Sequence, residues 1–174
     1  MKENIIGREQ EIEKLENYIS SRKSEFVAIY GRRRVGKTFL VKELFENRFT
    51  FRITGKDNVT TKEQLASFSF ALNDQLGIET DAANWPEAFR LLQKALEKIP
   101  EGTKIIFFDE LPWFDTYASH FISALEHFWN DWAFYRSDIK LIACGSATTW
   151  MLNQVINSRR GLHNRITHNP SWPI

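Results

Sequence analysis

The chain has 174 residues, 43% hydrophobic and 14% aromatic, enough to bury one sizeable core, so a folded globular protein is expected. Its 23 basic and 22 acidic residues nearly cancel, which excludes a broad field drawing the whole molecule to nucleic acid or an anionic membrane. A single cysteine, Cys144, excludes an internal disulfide framework. No run approaches the roughly 20 apolar residues of a membrane span, and Met1-Lys2-Glu3-Asn4 lacks a signal peptide's apolar core. A cytoplasmic protein without a membrane partner is the expectation.

Residues 8–20 place Ile12, Leu15 and Ile19 on one face of an amphipathic helix. The apolar, β-prone run 26–30 follows, as suits a central parallel strand. After a polar loop, Phe39, Leu40, Leu44 and Phe45 recur at helical spacing, opposite Lys42, Glu43 and Glu46. A second strand is expected over 49–53, ended by Gly55 and Lys56-Asp57-Asn58. The helix predicted over 61–76 carries Leu65, Phe68, Leu72 and Leu76, and Gly77 stops it. Asn84 can cap the next helix and Glu87 can reach back, with Phe89, Leu92, Ala95, Leu96 and Ile99 inward. Strands at 104–108 and 139–144 flank an aromatic helix with the stripe Phe121, Leu125, Phe128 and Trp132. Strands alternating with helices imply an α/β fold with a parallel sheet and right-handed crossovers. Trp85, Trp129 and Trp132 fit helical stripes and read as core; Trp113 is left open, able to shape a loop.

The loop is the octapeptide Gly31-Arg32-Arg33-Arg34-Val35-Gly36-Lys37-Thr38, which satisfies G-x-x-x-x-G-K-[ST] between a strand and a helix. Gly31 and Gly36 permit positive φ, so successive N–H groups can ring a β-phosphate at the helix start. Lys37 should reach the β- and γ-phosphates and Thr38 should hold Mg²⁺. Phe39 completes the loop's ligand-facing set, and the three arginines occupy variable positions whose side chains by default point to solvent. A second constellation is Lys104-Ile105-Ile106-Phe107-Phe108-Asp109-Glu110: a buried strand that delivers Asp109 to a metal and Glu110 to an attacking water. A third is Leu141-Ile142-Ala143-Cys144-Gly145-Ser146. Ser146 can lie near the γ-phosphate, or can cap a helix starting near Thr148, and the two readings are compatible. The four histidines, 120, 127, 163 and 168, lack companions at ligand spacing and suggest no metal centre.

These three motifs, with Leu111-Pro112-Trp113 after the acids, Ala147-Thr148 after Ser146 and the opening Ile6-Gly7-Arg8-Glu9-Gln10-Glu11, resemble the prokaryotic AAA-type ATPases of the archaeal-ATPase family, a branch of the P-loop NTPases. The resemblance runs from Ile5 to His168. It implies a three-layer sandwich around a parallel sheet of order 5-1-4-3-2, with ATP and Mg²⁺ as ligands. It also implies Asp109 as the metal-side acid, Glu110 as catalytic base and the segment with Ile6 and Arg8 against the adenine. Arg165, with Arg159 and Arg160 as rivals, falls where such proteins place an arginine that reaches a neighbouring subunit's γ-phosphate, which would require a homo-oligomer. Relatives continue with a fifth strand, a helical lid and often a winged-helix or nuclease-like module. The tail of this chain, with Pro170 and Pro173, is a poor strand. The expectation is therefore a P-loop ATPase core over residues 1–168 and a C-terminal tail over 169–174, with the lid absent and protein or DNA partners engaged through domains the chain does not carry. An Mg²⁺-dependent ATP hydrolase is the leading reading. A nucleotide-gated switch with little turnover is the alternative, and a small-molecule kinase is disfavoured by the acidic pair.

Overall fold

The computed structural model describes residues 7–156. Ile6, Arg159, Arg160, Arg165, the expected boundary at 168 and the place of a fifth strand lie outside them. Within them, four strands form one parallel sheet in the order β1-β4-β3-β2: β1 (Glu25–Tyr30), β2 (Phe49–Thr54), β3 (Lys104–Asp109) and β4 (Ile139–Gly145). This is the 1-4-3-2 portion of the implied order.

Side chains alternate across the sheet because a strand has a period of two. Val27, Ile29, Ile105, Phe107, Ile142 and Cys144 pack with α1 (Glu9–Ser20) and α2 (Lys37–Phe45). Phe26, Ala28, Ile106, Phe108, Leu141 and Ala143 pack in the other core with α3 (Thr61–Leu76), α4 (Trp85–Glu97) and α5 (Phe121–Asp131). The result is a three-layer α/β sandwich whose inner strands are buried on both faces, which is why they read as unbroken apolar runs.

Capping follows the sequence closely. Thr60 accepts from the Glu63 amide to start α3, and Gly77 ends it in the left-handed conformation at φ 68°. Asn84 accepts from the Glu87 amide, while the Glu87 carboxylate reaches back to the Ala83 amide at 2.9 Å. Gln75 covers the exposed edge of β2: its side chain accepts from Arg52 N at 2.8 Å and donates to Arg52 O at 2.7 Å, as a neighbouring strand would.

Three expectations need correction. Phe39 is 52% exposed, and Val41 is buried in its place, because a helix starting at Lys37 turns positions 40, 41 and 45 toward the sheet. α4 ends at Glu97, short of Ile99. Trp132 caps α5 instead of continuing it, although it still packs on Phe128 with ring centroids 5.3 Å apart.

At the opposite end of the sheet from the loop, Lys104 is 2% exposed and its Nζ lies 2.7 Å from Asp138. Arg136 donates to both oxygens of the same carboxylate, at 2.9 and 2.8 Å. The Arg136 hydrogen bonds, with Lys104 beside them, hold the Asp138 carboxyl well below the usual carboxylate range. A folded-state value below the unfolded one contributes stability above the unfolded pKa and loses it as pH falls toward the folded value. Asp138→Asn should therefore destabilise the protein at neutral pH, and its deficit relative to wild type should shrink from about pH 5 downward. Urea unfolding at stepped pH measures this; a deficit independent of pH would detach Asp138 from acid sensitivity.

Candidate phosphate-binding site

The strand register assembles the site. Tyr30 pairs with Gly145, Phe108 with Ala143 and Thr54 with Asp109, so the loop after β1, Ser146 after β4 and Glu110 after β3 leave the same sheet edge together. Between Tyr30 and α2 the backbone adopts positive φ at Gly31 (147°), Arg34 (62°) and Gly36 (84°). Gly36 is the N-cap of α2 and supplies no side-chain cap, which leaves the first-turn amides and the positive end of the helix dipole directed at the loop. The conformation is a nest of N–H groups suited to an anion.

Lys37 is buried and donates from Nζ to Gly31 O at 2.9 Å and Arg32 O at 2.5 Å, curling over its own loop. Burial pushes its ammonium pKa down, opposed by the Glu110 and Asp109 charges. Arg8, expected on the adenine side, donates from Nη2 to Val35 O at 3.0 Å and so braces the loop from α1's start.

On the acidic side, Thr38 Oγ1 donates to Asp109 Oδ1 at 2.9 Å, joining the two residues assigned to a metal. The Glu110 amide donates to the same oxygen at 3.0 Å, and Glu110 itself is left-handed at φ 51°, a conformation costly for a side chain with a Cβ. Ser146 Oγ donates to Glu110 Oε2 at 3.3 Å. The cap reading of Ser146 does not hold: Ala147 is the N-cap of the short helix Thr148–Trp150, and no side chain caps it. Burial raises both carboxyls. For Asp109 the Thr38 and Glu110 hydrogen bonds oppose it, and for Glu110 the charge of Asp109 adds to it. Burial also pushes the Cys144 thiol well up, leaving it a packed, protonated wall residue.

Loop, acids and Ser146 enclose a cavity of about 330 Å³, with Phe39 and Trp113 at its sides. Of the three arginines, Arg32 stays at the surface and Arg34 lines the cavity, whereas Arg33 crosses it. Arg33 Nε donates to Ser146 Oγ at 3.4 Å, and its guanidinium lies over the Trp113 ring, 5.4 Å from the centroid. All three arginines are exposed, as expected of variable loop positions, but Arg33 also makes contacts with Ser146 and Trp113.

The supporting roles of two residues escaped the sequence reading. Gln64 is completely buried; its amide donates to Lys56 O at 2.5 Å and Trp113 O at 2.9 Å, and its oxygen accepts from Lys56 N at 3.2 Å. It thereby ties α3 to the turn Leu111–Phe114 that follows the acids. A polar residue four before Phe68 on the buried stripe was the available signal. Gly55 donates to Asp109 O at 2.9 Å, and a Cβ there would stand 2.5 Å from Glu110 O. Phe114 anchors the same turn in the core, stacked on Phe121 at 5.2 Å and edge-on to Trp85 at 5.8 Å.

The donor set toward a cation is a hydroxyl and a carboxylate. Among the described residues no cluster of three His, Cys, Asp or Glu forms a protein cage. Two hard oxygens beside an anion nest fit Mg²⁺, which keeps waters and takes its remaining ligands from phosphates. Among the described residues no helix is long and apolar enough to cross a membrane.

Comparison with known proteins agrees with this geometry. An uncharacterized protein of Methanocaldococcus jannaschii is 29% identical over 166 residues, covering 94% of this chain and 34% of its own length. An uncharacterized ATP-binding protein of the same organism is 44% identical over 44 residues, 25% of this chain and 75% of that protein. Among solved structures, the Walker-type ATPase of Pyrococcus abyssi superposes with a TM-score of 0.67 at 22% identity, over 98% of this chain and 54% of that one. Cdc6p of Pyrobaculum aerophilum superposes with a TM-score of 0.63 at 16% identity, over 94% and 45%. The chain thus spans about a third of the first relative and about half of the first structure. The family profile described as an ATPase domain predominantly from Archaea matches residues 5–170. The chain belongs to that family, and its core is a nucleotide-binding, ATPase-type module with the P-loop NTPase fold.

Proposed function

We propose that the chain binds ATP with Mg²⁺ and hydrolyses the bond between its β- and γ-phosphates, nucleotide state being coupled to conformational change. The observation that carries this is the convergence of the Lys37 nest, the Thr38 to Asp109 bond and the Glu110 carboxylate on one cavity. The loop's amides and Lys37 bind the phosphates. Thr38 and Asp109 would hold the cation, which when bound neutralises charge on the phosphate oxygens. Glu110 accepts a proton from water as the water oxygen bonds to the γ-phosphorus. The bond to the bridging oxygen then breaks toward ADP, and inorganic phosphate is released. Burial and the Asp109 charge raise the Glu110 carboxyl, which makes it a stronger acceptor for the water's proton.

Glu110→Gln should slow phosphate release roughly 100-fold or more while leaving ATP affinity within about twofold, because an amide cannot take the proton. Titration calorimetry and steady-state phosphate release test the two arms. Unchanged turnover would remove Glu110 from the role, and absence of nucleotide binding by wild type would overturn the reading altogether.

One observation favours the switch alternative. Ser146 already occupies a lone pair of Glu110. Tight retention of nucleotide without phosphate release would make that bond a brake and the chain a nucleotide-gated module. Homo-oligomerisation through Arg165, protein or DNA partners engaged through further domains, and a cytoplasmic location are proposed alongside.

A further inference from the structure

We propose that Arg33 reads the γ-phosphate, a guanidinium supplied in cis by the phosphate loop that gives the site its preference for a nucleoside triphosphate over a diphosphate. This rests on the nucleotide-site reading above. Arg33 is four residues before Lys37, yet it is the only loop arginine whose side chain crosses to the acidic wall. Its Nε is 3.4 Å from Ser146 Oγ, which in turn is 3.3 Å from Glu110 Oε2. That chain of contacts runs between the loop and the base, where the terminal phosphate of a triphosphate would meet an attacking water. A diphosphate held in the nest has no group there.

The side chain is also prepared for a phosphate. Among the described residues its only hydrogen bond is from Nε, so both terminal nitrogens of the fork remain available. The Trp113 ring supports the flat guanidinium at 5.4 Å, which reduces the entropy lost when the fork engages a planar pair of oxygens. Trp113 is itself fixed by the Gln64 amide on its carbonyl and by Phe114 in the core. The charge belongs at this place too. Burial and the neighbouring Asp109 raise the Glu110 carboxyl, and the Arg33 charge is among the influences that lower it again. A γ-phosphate would bring further negative charge to that spot. Arg34 lines the cavity with no hydrogen bond that aims it at the acids, and Arg32 is outside the lining.

The test is equilibrium binding, with Mg²⁺, of ADP and of a non-hydrolysable ATP analogue to wild type, Arg33→Ala and Arg33→Lys. Arg33→Ala should weaken the triphosphate analogue about tenfold or more and change ADP by less than about twofold. Arg33→Lys should fall between, since it keeps the charge and loses the fork. Melting temperatures serve as the folding control, and an exposed side chain predicts no shift. Equal losses for both ligands, or none, would overturn the assignment of Arg33 while leaving the nucleotide site standing. Failure of wild type to bind either ligand would overturn both.

Discussion

Lys37→Ala is expected to weaken nucleotide binding about 100-fold while leaving the fold intact. The ammonium is buried at the mouth of the nest, and its partners are the Gly31 and Arg32 carbonyls of its own loop. Those are backbone oxygens that water can satisfy once the side chain is gone. Burial already disfavours the charged form, so its removal should change folding stability by less than about 1 kcal/mol. The loss falls on the ligand, because no other ammonium lines the cavity among the described residues. Titration calorimetry with ADP and an ATP analogue, paired with urea unfolding, separates the two effects. Equal affinity in the variant would sink the phosphate-loop assignment, and a collapsed transition midpoint would show that Lys37 supports the fold.

The second large effect comes from a residue that touches no ligand. Gly55→Ala would place a Cβ 2.5 Å from Glu110 O and 3.0 Å from two ring carbons of Phe114. The obstacle is backbone, which cannot swing aside as a side-chain tip can, and Phe114 is wedged in the aromatic core. Relief requires the Glu110 peptide to move. That peptide is already left-handed, and it carries the base and the amide that bonds Asp109. The expected costs are about 1–3 kcal/mol of stability and roughly 100-fold in hydrolysis, since a displacement of about 1 Å suffices for that. Nucleotide affinity should fall far less, because the nest and Lys37 are on another loop. Urea unfolding, phosphate release and ligand titration are the readouts. Normal hydrolysis by the alanine variant would mean that the Glu110 turn is not held from β2.

Much of this was legible along the chain. The four strands, the cap at Asn84 and the stop at Gly77 are local matters of hydrogen-bond chemistry and backbone freedom, and such signals survive in a short window. Phe39 was misplaced for a related reason. Periodicity fixes relative faces, but the face that meets the sheet depends on where α2 starts, and Gly36's left-handed cap sets that start.

The octapeptide by itself determined that residues 31–38 turn from strand to helix with glycine-enabled positive φ, and the apolar runs determined which segments lie inside. Those properties belong to neighbouring atoms in the chain. Only the tertiary structure decided that Ser146 meets Glu110 and does not cap a helix, that Arg33 crosses to Trp113, and that Gln64 and Gly55 hold the acidic turn. Arg33 and Ser146 are 113 residues apart, Ser146 and Glu110 36, Gln64 and Trp113 49. Contacts at such separations exist because the register of the parallel sheet brings distant strand ends to one edge. No window of sequence contains that register.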